Sequence, residues 1–530
     1  MTLHTAGHRR GVVCAPHMKT VEDGRAILAE GGNAIEAMLA MAASIATVYP
    51  HMNHIGGDGF WLIREPSGRV RALMGAGRAG AKATIRFYRD ADCDEIPARG
   101  ALAALTVPGA VAAWALAQDA ARAHGGKLPL DVLLASAIKH AREGYVVTRS
   151  QARLTEEKYA ELENAPGFLK SFLIDGKLPE QGAVLKQSAL AETLDHLANA
   201  GLDDFYRGDV GREIATDLER IGSPVTRGDL EAYRAWVEPP FAVETQVGTL
   251  YNAPPPTQGL ASLIILGLFE RLRVAKAESF EHVHGIVEAT KRAFRVRDRV
   301  ITDPDRVGDL DRYLMPAFLD AEADKIDPRK AARWPARAGD GDTIWMGAAD
   351  ASGLVVSYIQ SLYWEFGSGC VLPATGILMQ NRGASFSLDP NALNALAPGR
   401  RPFHTLNPAL ASLKDGRVMA CGTMGGDGQP QTQATIFTRH VLFGQPLDKA
   451  IDAPRWLLGR TWGSTITILR LESRFDGNLI DRLISAGHDV QVLDEPYSDT
   501  LGHAGAVVLH ADGTLEGAHD PRADGGAAGV

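Results

Sequence analysis

The junction Asp342-Thr343 constrains this chain more than any other sequence feature. A stretch rich in glycine and aspartate, residues 339–342, leads directly into a strand-like run at 343–350. A buried threonine at the start of a strand is usually structural. A threonine that becomes a new chain terminus is different, because its hydroxyl can attack a carbonyl while its own α-amine accepts the proton. Taken alone, the junction favours an ordinary exposed loop before a structural threonine. Self-cleavage before Thr343 is the alternative, and only the sequence that follows favours it.

Composition indicates a globular protein and argues against two classes of partner. The chain has 530 residues, of which 45% are hydrophobic and 22% charged. Its net charge is −9 and its basic residues are dispersed, whereas nucleic-acid binding needs clustered positive charge. The longest apolar run, near residues 260–269, is too short to span a membrane. The first twenty residues lack signal-peptide features, so we expect a cytoplasmic protein.

The cysteines favour neither a metal site nor a disulfide framework. Cys14, Cys93, Cys370 and Cys421 are widely separated, and no two of them have metal-ligand spacing. We expect buried free thiols, no metal and no organic cofactor.

The pattern of predicted elements changes at residue 343. Before it, helical patterns dominate, including an amphipathic segment at 19–48, although residues 59–64 and 69–74 alternate like a hairpin. After it, short strand-like segments are separated by glycine turns, and the Gly/Ala-rich tail that follows Asp520 is predicted to be disordered. This arrangement favours helical layers that flank sheets.

A set of sequence blocks agrees in order and spacing with one known family. After the junction the blocks are 343–353, 357–369 (SYIQSLYWEFGSG), 376–381 (GILMQN), 401–408 (RPFHTLNP) and 422–427 (GTMGGD). Upstream blocks are 31–34 (GGNA), 56–60 (GGDGF), 254–259 (PPPTQG) and 288–293 (EATKRA). Over most of its length the chain resembles the γ-glutamyltranspeptidase family of N-terminal-nucleophile hydrolases.

The resemblance implies a fold and a division of the chain. The implied fold is α+β, a four-layer αββα sandwich. Self-cleavage at Asp342-Thr343 would give a large segment, 1–342, and a small segment, 343–530, as the α- and β-subunits of one integrated unit. The implied assembly is a heterodimer of the two cleavage products, which could pair further into a dimer.

The resemblance also implies catalytic roles. Thr343 is the expected nucleophile, and Ser361 falls where the family has a hydroxyl that hydrogen-bonds it. Gly425 and Gly426 match the family's oxyanion pair, whose backbone amides stabilise developing negative charge. The alternatives are an unremarkable strand serine for Ser361 and a simple turn for the two glycines.

The substrate pocket departs from the family pattern at both charged positions. The arginine that holds the α-carboxylate of γ-glutamyl substrates is replaced by Ala76, and Arg78 is the expected substitute. The aspartate that pairs with the α-amino group is replaced by Ala384. Since a desolvated amino-acid head needs both charges paired, we expect a substrate that keeps an acid but lacks the amine.

Three further positions define the predicted pocket wall. Tyr363 replaces an asparagine that helps to hold the α-carbon substituents in the family. His404 and Thr405 replace a pair of serines. We interpret His404 as a hydrogen-bonded wall residue, with a proton carrier as the alternative.

The predicted function is a self-processing N-terminal-threonine amidohydrolase that cleaves a small carboxylate-bearing amide through an acyl-enzyme. The chain looks most like the amidohydrolase and acylase branch of the family, which includes oxamate amidohydrolases. The alternatives are γ-glutamyl transfer or glutathione hydrolysis, cephalosporin (glutaryl) acylase activity, and an unprocessed homologue without catalysis.

Overall fold

The computed structural model describes residues 2–334, 342–459 and 468–530. The predicted approach to the cleavage site at 339–341 lies outside the described residues. So does the first part of 465–472, one of the short strand-like segments that the sequence predicts after residue 343. The strands are β1 His4–His8, β2 Gly11–Ala15, β3 Asp58–Arg64, β4 Val70–Gly75, β5 Tyr145–Val146, β6 Val184–Leu185, β7 Trp236–Glu238, β8 Phe241–Glu244, β9 Gly248–Asn252, β10 Asp342–Asp350, β11 Val355–Tyr363, β12 Ala409–Leu413, β13 Val418–Thr423, β14 Trp456–Leu458, β15 Leu469–Glu472, β16 Val490–Leu493, β17 Ala504–Leu509, β18 Leu515–His519 and β19 Gly526–Gly529. The helices are α1 Met18–Ala29, α2 Ala34–Val48, α3 Ile85–Arg89, α4 Ala110–Ala123, α5 Leu130–Glu143, α6 Arg149–Leu162, α7 Phe168–Phe172, α8 Ser188–Ala200, α9 Asp204–Arg207, α10 Asp209–Ile221, α11 Arg227–Ala232, α12 Gly259–Arg271, α13 Phe280–Val300, α14 Pro316–Ala323, α15 Gly428–Phe437, α16 Leu447–Asp452 and α17 Gly477–Ser485.

Two seven-stranded sheets form the centre of the molecule. Sheet 1 has the order β19-β2-β10-β11-β3-β4-β7, and sheet 2 has the order β1-β18-β17-β13-β12-β9-β8. Neighbouring strands within both sheets are antiparallel. Each sheet takes strands from both sides of the Asp342-Thr343 junction, so residues on either side share one hydrogen-bonded framework.

Three hydrophobic cores separate the four layers. The central core lies between the sheets and includes Phe60, Trp345 and Val507. A second core packs α2 and α4 against sheet 1, and a third packs α12, α13 and α15 against sheet 2. This is the arrangement of helical layers outside two stacked sheets that the sequence predicted.

The segment predicted as one helix at 19–48 is two helices, and the physical reason is a cap. Asn33 accepts hydrogen bonds from the amides of Ile35 and Glu36, while the Glu36 carboxylate accepts from the Asn33 amide at 2.9 Å. This capping box starts α2 and ends the continuity that hydrophobic periodicity suggested. The Ala34 amide also donates to Asp350 at 2.7 Å, which ties the helix to the end of β10.

The prediction of a disordered tail after Asp520 was wrong. Residues Gly526–Gly529 form β19, which pairs with β2 at the edge of sheet 1. Small residues are needed there, because a Cβ on Gly529 would lie 2.2 Å from the His8 ring. Composition suggested disorder, but the open edge of β2 supplies the backbone partners that order the tail.

Several histidines are buried in neutral form, which predicts loss of stability in mild acid. Burial lowers the pKa of each from 6.5 to about 3 or 4: His17, His54, His282, His404, His488 and His519. Between pH 6.5 and about 4 the unfolded chain therefore binds more protons than the folded one. Each such histidine lowers the free energy of unfolding by up to ~1.4 kcal/mol for each pH unit of acidification. The contribution is complete above pH 6.5 and is lost as pH falls.

We expect the Tm to fall steadily between pH 7 and pH 5, as measured by calorimetry. His54 offers a matched variant, because its Nδ1 accepts from the Leu378 amide at 3.1 Å and an asparagine oxygen can replace that acceptor. His54→Asn should make the fall in Tm shallower, because about one proton fewer is taken up on unfolding. A Tm that is flat from pH 7 to pH 5 would contradict this account.

Among the described residues, none of the helices has the length and apolar character needed to cross a membrane.

Candidate active site

Thr343 is buried at the start of β10, opposite an irregularity in the neighbouring strand. Asp342 pairs with Tyr363 and Ile344 pairs with Gln360, so two residues of β11 lie opposite Thr343 alone. A bulge of this kind bends the strand and redirects side chains, and bulges are frequent beside active sites. The local backbone thus departs from a regular ladder at the predicted nucleophile.

Two polar side chains near Thr343 could orient its hydroxyl. Gln429 lies in the first turn of α15, and its Nε2 is 3.5 Å from the Thr343 Oγ1. The Gln429 Oε1 accepts from the Asn407 amide at 3.2 Å, which fixes which end of the amide faces Thr343. Ser361 Oγ accepts from the Tyr363 amide at 2.8 Å. The predicted role of Ser361 stays a prediction, and Gln429 is a neighbour that the sequence analysis missed.

Tyr363 has an unusual backbone conformation. Its φ is +88°, in a region that bulky side chains rarely adopt. The next residue is held firmly, because the Asn381 side chain accepts from the Trp364 amide at 3.1 Å and donates to the Ala98 carbonyl at 2.9 Å. Backbone strain that neighbouring contacts maintain is typical of functional sites. Here the strained residue, Tyr363, is the one that pairs with Asp342.

Gly425 and Gly426 form the connection between β13 and α15. Their φ values are +115° and +53°, and a φ near +115° requires glycine. Within the part of the chain that the structure describes, neither glycine amide donates to a protein acceptor. Both lie just before the N-terminus of α15, where the helix dipole favours negative charge. The geometry suits the predicted oxyanion site, and that role stays a prediction.

A buried network supports the glycine turn from beneath. Gln258 donates to the Gly426 carbonyl at 2.9 Å and to the Thr405 carbonyl at 2.5 Å. Arg297 donates to the Gln258 Oε1 at 2.9 Å and pairs with Asp427 at 2.7 Å. The turn and residue 405 are therefore positioned by the same side chain.

His404 lies in the wall of this site as a neutral ring. It is fully buried, packs edge-on against Phe60, and has its Nε2 3.2 Å from the Asp58 Oδ2. Burial, with a further contribution from the positive charge of Arg382, lowers its pKa to about 4. The other Asp58 oxygen accepts from the amides of Gly77 and Gly109. These contacts favour the wall interpretation over a proton carrier.

Arg382 is a fully buried cation of the site that was not predicted from the sequence. It is fully buried, its guanidinium lies 4.0 Å from the centre of the Tyr363 ring, and its Nη1 is 3.4 Å from the Thr405 Oγ1. One feature of the sequence could have indicated a role for Arg382: it is the only charged residue in the block 376–386.

Arg78, the predicted carboxylate partner, lies in a different environment. Its side chain is 41% exposed, and its guanidinium donates to the Gly399 carbonyl at 2.9 Å and pairs with Asp305 at 3.3 Å. These contacts do not support the predicted role in binding substrate.

A separate cluster of potential metal ligands lies on α13 and near β16. Ligand atoms of His284, Glu288 and His488 lie within 4.8 Å of one another. The two histidines hydrogen-bond each other at 2.8 Å, and Glu288 pairs with Lys291 at 2.7 Å. Glu288 accepts a hydrogen bond from the Ala332 amide, and Lys291 donates one to the Ala332 carbonyl. These contacts hold the chain that leads towards the junction, which gives the cluster a structural role.

Known proteins share both the sequence and the fold. The family profile described as Gamma-glutamyltranspeptidase matches residues 20–530. The "Oxamate amidohydrolase proenzyme" of Klebsiella pneumoniae is 54% identical over 98% of both chains, and the "Glutathione hydrolase-like YwrD proenzyme" of Bacillus subtilis is 39% identical over 98% of both chains. The crystal structure of cephalosporin acylase from Bacillus halodurans has a TM-score of 0.91 and 30% identity, and the match covers 99% of this chain and 97% of that one. The predicted fold class is confirmed.

Proposed function

We propose that this chain, which belongs to the γ-glutamyltranspeptidase family of N-terminal-nucleophile hydrolases, hydrolyses oxamate or a similarly short amide that carries a carboxylate. The predicted family and the predicted class of family amidohydrolase are confirmed. Similarity to proenzymes of this family implies self-cleavage into two subunits and an amide substrate. The choice of oxamate rests on the 54% identity to a protein of that name and on the charge of the pocket.

The observation that carries the proposal is a buried cation, Arg382, that makes no ion pair with a carboxylate among the described residues. Arg382 is fully buried beside Tyr363 and Thr405. The carboxylate that acts on its charge is Asp58, which is already engaged by two backbone amides and faces His404. An α-ammonium here would lose its water and meet a positive charge, whereas a carboxylate would gain a partner.

Processing comes first in the proposed sequence of steps. The Thr343 hydroxyl attacks the Asp342 carbonyl carbon, the peptide C–N bond breaks, and the freed nitrogen becomes the α-amine of Thr343. Water then hydrolyses the ester between the two residues. The products are a carboxylate at residue 342 and a free Thr343 hydroxyl beside its own amine.

Catalysis repeats the attack on an external amide. The Thr343 α-amine accepts the hydroxyl proton as Oγ1 bonds to the amide carbon of oxamate. The amides of Gly425 and Gly426 stabilise the oxyanion. When the intermediate collapses, the proton passes to the leaving nitrogen and ammonia departs. Water hydrolyses the resulting oxalyl ester, and the proton of the new carboxyl group passes to the ammonia, so that one oxamate and one water yield one oxalate and one ammonium ion.

The two cleavage products are proposed to remain together as a heterodimer. Both sheets contain strands from each segment, with β2 and β3 flanking the β10-β11 pair in sheet 1. Separation would expose these strand edges and the core between the sheets. A further pairing of heterodimers is also proposed, and gel filtration of the processed protein measures it.

The proposal is tested by ammonia release from purified, processed protein. Denaturing electrophoresis first establishes two fragments that correspond to residues 1–342 and 343–530. Oxamate, glutathione and a glutaryl amide are then compared by kcat/KM. A preference for oxamate supports the proposal, and a clear preference for glutathione or for the glutaryl amide would replace it with one of those activities.

Restoring an acid at position 384 should move the substrate preference. Ala384 lies two residues after Arg382 in the same turn, Arg382–Ser385. In Ala384→Asp we expect a lower kcat/KM for oxamate, by roughly tenfold, because a carboxylate introduced there opposes the substrate anion and can pair with Arg382. Activity on γ-glutamyl donors should rise. Ala384→Asn matches the added volume without the charge and should show neither shift.

A further inference from the structure

Arg382 is one of three arginines among the largest fully buried side chains, and it alone of these three lacks a carboxylate in contact among the described residues. Within the described residues it makes no ion pair, and its Nε and Nη2 atoms have no hydrogen-bond partner. Five other buried arginines contact a carboxylate: Arg297, Arg401, Arg439, Arg455 and Arg522. Buried Arg470 has no such contact among the described residues but donates through Nη2 to the Gly459 carbonyl at 3.0 Å. An unsatisfied buried donor costs about 1–3 kcal/mol, and more when it is charged, so two such atoms on one side chain call for an explanation.

The two unpartnered atoms share one edge of the guanidinium. The N–H groups of Nε and Nη2 point the same way and form a fork that can donate to both oxygens of one carboxylate. The third nitrogen, Nη1, faces the Thr405 Oγ1 at 3.4 Å. The plane is held from one face by the Tyr363 ring at 4.0 Å. The edge that fits an anion therefore has no hydrogen-bond partner among the described residues, while Thr405 and Tyr363 contact the rest of the group.

The neighbours of Arg382 are also the neighbours of the reacting atoms. Tyr363 pairs across the strands with Asp342, the residue before the nucleophile. The carbonyl of Thr405 and that of Gly426 are bound by the same Gln258 amide. An anion on Arg382 would thus share protein neighbours with the start of β10 and with the glycine turn, which suits a carboxylate separated from the scissile carbonyl by a short link.

The charge state of Arg382 is compatible with this role. Burial lowers its pKa to about 10, and the neighbouring Tyr363 and Asp58 act in the opposite direction. The guanidinium therefore remains protonated at neutral pH. A role limited to balancing the charge of Asp58 is the competing explanation, although the two groups are not in ion-pair contact.

We propose that Arg382, rather than Arg78, binds the substrate carboxylate through Nε and Nη2, and that this contact selects carboxylate-bearing amides. The inference rests on the proposed function and adds the residue that recognises the acid. Lysine cannot reproduce a two-point fork, so the proposal also requires that Arg382→Lys restore only part of the selectivity.

The test compares oxamate with oxamide, its neutral analogue, on processed enzyme. In Arg382→Gln we expect kcat/KM for oxamate to fall by at least about 100-fold, mainly through KM, because a buried charge partner is removed. Hydrolysis of oxamide should change by less than a few fold, so the preference for the acid disappears. Arg312→Gln is the control, because Arg312 also lies over a tyrosine ring, at 4.8 Å from Tyr313, but is exposed.

Several results would overturn the proposal. One is an equal loss for oxamate and oxamide in Arg382→Gln, which indicates a structural role. Another is a preference for the acid that disappears in Arg78→Gln but persists in Arg382→Gln. If Arg382→Gln is not processed, Arg382→Lys is measured instead, and a full wild-type preference in that variant counts against the fork.

A binding measurement separates this inference from the proposed activity. Oxalate should raise the Tm of processed wild-type protein and leave the Tm of Arg382→Gln unchanged. In Arg382→Lys the rise in Tm should be smaller than in the wild-type protein. If wild-type protein does not hydrolyse oxamate yet shows this difference, the activity is wrong and the anion site stands. If oxalate stabilises both proteins equally, or neither, the anion site is wrong.

Discussion

Thr343→Ala should give a single full-length chain with no measurable hydrolysis of oxamate or any other amide. One hydroxyl performs both attacks, first on the Asp342 carbonyl and then on the substrate, so its removal abolishes both. The loss should exceed that of any other single substitution in the site, because no neighbouring group replaces the nucleophile. Denaturing electrophoresis and ammonia release measure the two effects on the same preparation.

Two variants make this result specific. Thr343→Ser keeps a hydroxyl on the same strand position and should still be processed and still turn over, at reduced rates. Thr216→Ala removes an exposed threonine on α10 and should behave as wild type. Processing of the Thr343→Ala chain into fragments that end and begin at the normal positions would refute the assignment of the nucleophile.

Sequence blocks predicted the family and the fold because each block couples a residue type to a backbone requirement. The glycines at 425 and 426 both have positive φ, a conformation that favours glycine, and both are visible as letters in the sequence. The strands around Thr343 were predictable for the same reason, since alternation and glycine turns mark their limits. The family and the fold followed from these blocks.

The cation that we propose to bind the substrate could not be predicted in the same way. Arg78 and Arg382 are the same residue type, and sequence alone favoured Arg78 by its nearness to Ala76, the family position. Only the fold shows that Arg78 pairs with Asp305 at the surface, while Arg382 is buried with two unsatisfied donors. Burial and the absence of a partner are properties of the packed chain.

The errors at both chain ends have a related origin. Apolar periodicity ran through 19–48, but the capping of Asn33 outweighed it locally. Composition after Asp520 suggested disorder, but pairing of β19 with β2 depends on an edge contributed by residues 11–15, about five hundred positions earlier. Long-range pairing is not encoded in local composition, so the ordering of the tail required the fold.

Gly425→Val should reduce turnover by on the order of 100-fold or more, the typical effect of losing one oxyanion donor. At φ +115° an L side chain is strained, so the backbone is expected to relax towards negative φ. That rotation turns the peptide between residues 425 and 426 and moves the Gly426 N–H away from the oxyanion. Space is not the obstacle, because the added Cβ would lie 3.5 Å from the Gly502 Cα, an ordinary contact.

The matched control is Gly487→Val, because Gly487 has a φ of +96°, is exposed, and would have no neighbouring atom within 4 Å of an added Cβ. It should carry similar backbone strain, lower the Tm to a similar extent and leave kcat unchanged. Gly425→Val should instead lower kcat and slow self-cleavage together, since both reactions pass through a tetrahedral oxyanion at Thr343. If kcat of a processed Gly425→Val enzyme equals that of Gly487→Val, the glycine pair is only a turn, and the donors must be sought elsewhere around Thr343.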